Sequence, residues 1–263
     1  MNRIEKKFKE LKKSNKKAFI AFITAGYPNL SATKQLVKAL SANGADIIEL
    51  GVPFSDPMAD GVIIQEASQY SLKKKINLDL IMKMSLELRQ ENIAVPLCLM
   101  TYYNPVFCYG DERFIKKAVQ SGIDGVIIPD LPIDEAVDFI KTANKYGLDT
   151  INFISPTTSN KRVEKICRAS KGFIYYVSLT GVTGARNNLA ADLKENIRRI
   201  KRFTSKPVCV GFGVSNSRQV KYVQGFADGV IVGSAIVRKI KDNLGKIGLV
   251  NKVAAYTRSL SNV

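Results

Sequence analysis

The chain has 263 residues, 46% hydrophobic and 24% charged, which is long enough to bury a core without disulfide or metal staples. It contains no histidine, and that removes Ser-His and Cys-His nucleophile schemes and the usual zinc ligands together. The net charge of +17 comes mostly from lysines scattered over amphipathic segments such as Lys73–Lys75, Lys116–Lys117 and Arg238–Lys241; without interleaved aromatics they form a solvated face and not a nucleic-acid footprint.

Met1 to Lys17 is basic, with Ile4, Phe8 and Leu11 at helical spacing, which predicts an amphipathic helix packed across one end of the fold. Glu5 and Glu10 interrupt it and no serine-rich stretch follows, so a transit peptide fits poorly. No apolar run reaches the roughly 18 residues a membrane span needs. The expectation is a soluble protein of a reducing compartment, either the cytoplasm or, for a plastid-encoded chain, the stroma.

Eight short apolar runs follow, alternating with helical patterns: Ala18–Thr24, Asp46–Pro53, Pro96–Tyr102, Gly125–Pro129, Thr150–Ser155, Gly172–Leu179, Pro207–Phe212 and Gly229–Gly233. Their near-continuous hydrophobicity suits strands buried on both faces, as in a parallel sheet wrapped by helices. One pattern recurs at Gly44-Ala45-Asp46, Gly122-Ile123-Asp124, Gly147-Leu148-Asp149 and Phe226-Ala227-Asp228. Each marks a helix stop, a polar step and a β-branched strand, the repetition a βα barrel should show. The reading is α/β, a (β/α)8 TIM barrel in one domain, with an N-terminal capping helix, a core over 18–237 and a helical region over 238–263. Cys98, Cys167 and Cys209 sit in apolar or periodic segments and read as buried free thiols.

Glu49 ends the run Asp46-Ile47-Ile48-Glu49-Leu50-Gly51. A carboxylate in an apolar strand is either paired with a lysine for structural reasons, or desolvated so that its pKa approaches neutrality and it passes protons both ways. Asp56 and Asp60 lie in Pro53-Phe54-Ser55-Asp56-Pro57-Met58-Ala59-Asp60-Gly61, a defined loop that brings Asp60 above the barrel near Glu49; Asp-Gly is also ordinary turn chemistry. Glycine-bearing loops follow the sixth, seventh and eighth runs at Gly181–Gly184, Gly211–Gly213 and Gly233–Ala235. They are plain turns or, at these positions in a barrel, a phosphate cradle. The Gly181–Asn188 stretch also reads as a closing lid. The strands carry no interior lysine, which excludes a Schiff-base aldolase, and only Glu49, Asp56 and Asp60 approach a metal-ligating cluster. Carbon–carbon cleavage by general acid–base action remains.

Glu49–Pro57, Ala59-Asp60-Gly61, Ile64-Gln65, Tyr102, Asn104-Pro105, Ser178–Gly184 and Gly211-Phe212-Gly213 together resemble the tryptophan synthase α-chain family, over about Ala18 to Val237. The resemblance implies a carbon–carbon lyase that splits indole-3-glycerol phosphate by retro-aldol cleavage. It gives Glu49 the proton transfers at the indole carbon and the glycerol hydroxyl, and Asp60 the charge at the indole nitrogen. It maps Phe22, Tyr102, Tyr175 and Phe212 onto the indole pocket or its neighbours, and Gly184, Gly213, Gly233 and Ser234 onto the phosphate cradle. Thr183 falls on the closing loop. It further implies an α2β2 complex with a β subunit contacted through Asp56 and Pro57, with pyridoxal phosphate in that partner, no cofactor or metal in this chain, and neither nucleic acid nor membrane as partner. Val62 stands where the family usually has proline, and Met100, Pro129 and Phe153 alter pocket-lining positions. The competing readings are another phosphate-binding barrel, such as indole-3-glycerol phosphate synthase, which wants a strand lysine, and a non-catalytic subunit that activates a partner.

Overall fold

The computed structural model describes residues 2–177, 186–211 and 213–261. The first helix, α1 (Arg3–Lys13), starts where the Asn2 side chain accepts the Ile4 N–H at 2.8 Å. Its buried face is Ile4, Phe8 and Leu11, one stripe at a spacing of four and three residues. That stripe closes one end of a barrel. Phe8 meets Phe173 with ring centroids 5.8 Å apart, and Arg3 and Asn2 tie the helix to Asp124 through its carboxylate and its carbonyl.

The barrel strands are β1 (Ala18–Thr24), β2 (Ile47–Gly51), β3 (Leu97–Met100), β4 (Gly125–Ile127), β5 (Asp149–Ile151), β6 (Phe153–Ile154), β7 (Ile174–Val177), β8 (Val208–Gly211) and β9 (Gly229–Val232). All pairings are parallel, in the order β5-β4-β3-β2-β1-β9-β8-β7-β6. The two ends of that order are consecutive in the chain and separated only by Asn152. The predicted run Thr150–Ser155 is therefore two segments: β5 pairs with β4, and β6 pairs with β7. At the break the Asn152 carbonyl still accepts the Tyr175 N–H at 3.1 Å, and its side chain reaches Ser170 at 3.0 Å. The ring thus closes through one polypeptide run that turns at Asn152.

Outside the ring stand α2 (Leu30–Ala42), α4 (Leu78–Gln90), α6 (Asp111–Gln120), α7 (Val137–Tyr146), α8 (Asn160–Ala169), α9 (Arg186–Lys201), α10 (Ser217–Gln224) and α11 (Ser234–Lys241). Each follows one barrel staircase step, as eight β/α units require. Two further helices, α3 (Val62–Lys73) and α5 (Tyr103–Tyr109), lie between strand and outer helix in the second and third units, and α12 (Leu249–Ser261) ends the described chain. Helix α3 takes up Val62–Lys73 of the long stretch after the second strand. The helical region expected from 238 onward begins earlier, at Ser234, and its final helix is held against α2 by Ser261 and Arg258, which donate to the carbonyl and side chain of Asn43.

The recurring aspartates have a shared structural task. Asp46, Asp124 and Asp228 each donate their N–H to a residue on the preceding strand and accept that residue's own N–H on Oδ2: Phe19 at 2.9 Å, Leu97 at 2.9 Å and Val208 at 3.0 Å. Asp149 is the exception. Its N–H donates to the Asp124 carbonyl, but the Asp124 N–H is already given to Leu97, so Asp149 Oδ2 is buried without a partner. Within the barrel, alternation splits each strand: Ile47 joins Ile20, Cys98, Ile127, Ile151, Tyr175, Cys209 and Ile231 in the interior, while Ile48 and Leu50 pack against the helices.

Candidate active site

Glu49 is the third residue of β2, so it shares the inward face with Ile47 and Gly51. Its register neighbours are Phe22 on β1 and Cys98 on β3. Glu49 is 0% exposed and, among the described residues, neither carboxylate oxygen has a hydrogen-bond partner; the structural lysine pair that the sequence left open is not formed there. Burial alone raises its pKa to about 8. Its charge in turn helps push the buried thiols of Cys98 and Cys209 and the phenol of Tyr175 upward, after burial itself. Gly51 is a glycine because a Cβ there would stand 2.4 Å from Cζ of Phe22, so the missing side chain lets the aromatic ring lie against the strand.

Asp60 enters from the loop between β2 and α3 and is half-buried. Burial raises its pKa to about 6, and a hydrogen bond from the Tyr102 hydroxyl opposes that rise. The same hydroxyl accepts the Ala59 N–H at 2.9 Å, and the Tyr102 ring stacks on Phe54 at 5.0 Å. Gln65, on the first turn of α3, donates to the Asp60 carbonyl at 2.8 Å. Asp56 and Met58 point away, with Met58 86% exposed, and Pro57 is half-buried.

Tyr175 projects inward from β7 against Phe153, ring centroids 4.6 Å apart. A Cβ on Gly211 would sit 2.5 Å from its hydroxyl, so the glycine makes room for the phenol. Met100, Phe153 and Val177 are the partly buried residues of the interior cluster; they form an apolar rim at the strands' C-terminal ends. On the far side, Gly233 precedes α11 with no side-chain cap, and its own Cβ position is 3.4 Å from Phe22. By contrast α10 is capped within the chain, Asn216 accepting from Gln219 and Gln219 from Ser215. The first-turn amides of α11, with the exposed Ser234, are thus the ones left for an anion. Gly213, in the loop after β8, takes a positive φ of 31°. Thr183, Gly184, Phe212 and most of the expected lid lie outside the described residues.

Glu49, Phe22, Tyr175, Gly233 and Ser234 therefore meet at one mouth, with Asp60 and Tyr102 on its β2–β3 side. Sequence reasoning missed the thiol floor of Cys98 and Cys209 and the ring of Phe54, because their positions depend on strand register and loop path. No three His, Cys, Asp or Glu side chains group as metal ligands among the described residues.

The family described as "Tryptophan synthase alpha chain" matches residues 8–262. Tryptophan synthase alpha chains from Thermoanaerobacter sp. strain X514 and Geobacter sulfurreducens are 44% and 45% identical, covering 100% and 99% of this chain and 100% and 98% of theirs. Among solved structures, the tryptophan synthase subunit alpha of Legionella pneumophila str. Paris superposes with a TM-score of 0.92 at 37% identity, over 100% of this chain and 98% of that one. A chain of the Mycobacterium tuberculosis tryptophan synthase in an open form gives 0.89 at 31% identity, over 100% and 98%.

Proposed function

The chain belongs to the tryptophan synthase alpha chain family, and from that premise we propose that it cleaves indole-3-glycerol phosphate to indole and glyceraldehyde 3-phosphate. The observation that carries the reading is Glu49: a buried carboxyl with both oxygens unpartnered, facing the mouth beside a second carboxyl held nearer ionisation. A pKa of about 8 keeps Glu49 protonated at neutral pH. It donates its proton to C3 of the indole ring, and the positive charge spreads to the ring nitrogen, whose N–H donates to the ionised Asp60. The C3–C1′ bond then breaks, its electrons restoring the indole double bond. The C1′ hydroxyl loses its proton to Glu49 and becomes the aldehyde, so the proton count closes on the same carboxyl.

Phe22, Tyr175, Met100 and Phe153 supply the apolar wall for the ring, and the α11 amides with Gly213 and Ser234 hold the phosphate. Asp56, Pro57 and Met58 form the contact with a β subunit, in an α2β2 assembly whose pyridoxal phosphate belongs to the partner. The test is direct: indole released from indole-3-glycerol phosphate by the purified chain, alone and with a β subunit. Turnover that rises on adding the β subunit is expected; no indole under either condition rules the reading out.

A further inference from the structure

Three features of the Asp60 loop have no role in the reaction as described, and they converge on one side chain. Tyr102 does not belong to that loop. It is the residue before α5, at the end of β3, in extended backbone, and its neighbours are tied down: Tyr103 N–H donates to Asp130 at 2.8 Å and Thr101 Oγ1 to the Tyr102 carbonyl at 3.2 Å. Its ring is 4% exposed and stacked on Phe54 with planes 25° apart. Its hydroxyl has one proton and two lone pairs. A lone pair takes the Ala59 N–H at 2.9 Å, and the hydroxyl lies close enough to the neighbouring Asp60 to favour its charged form.

The loop between Phe54 and Asp60 is mostly exposed. One fixed residue just past β3 thus grips it at both ends, by stacking at Phe54 and by a hydrogen bond at Ala59, the residue before Asp60. We infer that Tyr102 is a positioning residue for Asp60, holding the loop after β2 so that the carboxylate faces the mouth. This deepens the cleavage reading and rests on it, and it moves Tyr102 from the pocket lining to the support of the reacting group. Donation to a carboxylate favours its charged form, so loss of the hydroxyl acts on Asp60 in one direction only.

Tyr102→Phe keeps the stack and the burial and deletes the hydroxyl. Cleavage by the full chain with β subunit is expected to lose about tenfold in kcat, with KM within about twofold. The acid limb of kcat/KM, which Asp60 sets, moves up by about half a unit to one unit; the alkaline limb set by Glu49 stays in place. Phe54→Leu, which leaves the hydroxyl, lowers kcat less and does not move the acid limb. A raised KM with unchanged kcat in Tyr102→Phe places the residue against substrate and overturns the inference. A second readout needs no turnover: carboxyl carbon NMR of Asp60 in 13C-Asp-labelled chain, without substrate. An upward shift of its titration in Tyr102→Phe supports the inference even if wild-type chain releases no indole, and an unchanged titration overturns it even if cleavage is confirmed.

Discussion

At Glu49 and Asp60 two carboxyls are separated by environment alone: full burial without a donor takes the first to about 8, and half-burial offset by the Tyr102 hydroxyl leaves the second near 6. Cleavage needs Glu49 protonated and Asp60 ionised, so kcat/KM should trace a bell with limbs near those two values. A pH profile checks this, and a rate that climbs steadily from pH 5 to 9 contradicts the division of roles. Glu49→Gln and Asp60→Asn should each lower the rate about 100- to 10,000-fold, with the circular dichroism of the wild type; half the wild-type rate in either variant refutes the assignment. A third carboxyl, Asp149, is 3% exposed with Oδ2 unpartnered, and burial followed by the Glu5 charge raises it to about 7, against the pull of Lys171. Its folded pKa lies above the unfolded value, so its protonated form favours folding. That contribution falls as pH rises from about 4 to about 7 and is gone above. Asp149→Asn should therefore gain melting temperature over wild type progressively across that window. A difference that stays flat from pH 4 to pH 8 means the group carries no such linkage.

Helix α1 and the loop after β2 guard opposite ends of the barrel, and the two respond differently to change. Ile4 is fully buried and packs over two glycines: a Cβ on Gly125 would meet Ile151 at 2.7 Å and Ile4 at 2.9 Å, and one on Gly172 would meet Asp149 Oδ2 at 3.0 Å and Ile4 at 3.3 Å. Ile4→Ala leaves a cavity between α1 and the barrel floor and should cost roughly 2–5 kcal/mol, read by urea unfolding. The reaction site lies at the other end, so KM and the two limbs of the pH profile should not move. A change in either, at a temperature where the variant is folded, indicates that α1 reaches the mouth through the strands.

For the molecule as a whole, the segments that follow β2 and β3 carry exposed apolar side chains. Met58, Val62 and Phe107 are 86%, 68% and 66% exposed, and under the proposed assembly Met58 belongs to the surface that a β subunit covers. Met58 lies two residues from Asp60, so a partner that fixes this loop biases Asp60 toward its reacting position, a coupling that works in both directions. Titrating a β subunit should raise cleavage and particle mass together. Met58→Glu should weaken both, as should Pro57→Ala or Asp56→Ala, while the unassisted rate stays at its wild-type level. Equal activation of Met58→Glu and wild type at limiting β subunit removes the loop from the interface. The positive charge is partly consumed in surface pairs, among them Lys34 with Glu87 and Glu91 and Lys201 with Asp228, each worth little in water.

Period and residue type alone determined the order of strands and helices in the barrel, its capping helix, and the place of Glu49 in the second strand with Asp60 in the loop after it, because hydrophobic runs and turn chemistry are local properties. The same is true of Gly233 and Ser234 at a helix start. Only the tertiary structure decided that Glu49 has no lysine beside it, that Asp149 alone among the repeated aspartates lacks its strand partner, and that the fifth run divides at Asn152 to close the ring. It also decided that Tyr102 stacks on Phe54 and accepts the Ala59 N–H beside Asp60. In each case the deciding quantity is a partner gained or withheld by a segment distant in sequence. A donor already committed elsewhere, as the Asp124 amide is to Leu97, leaves no mark in the residues around the group that goes without.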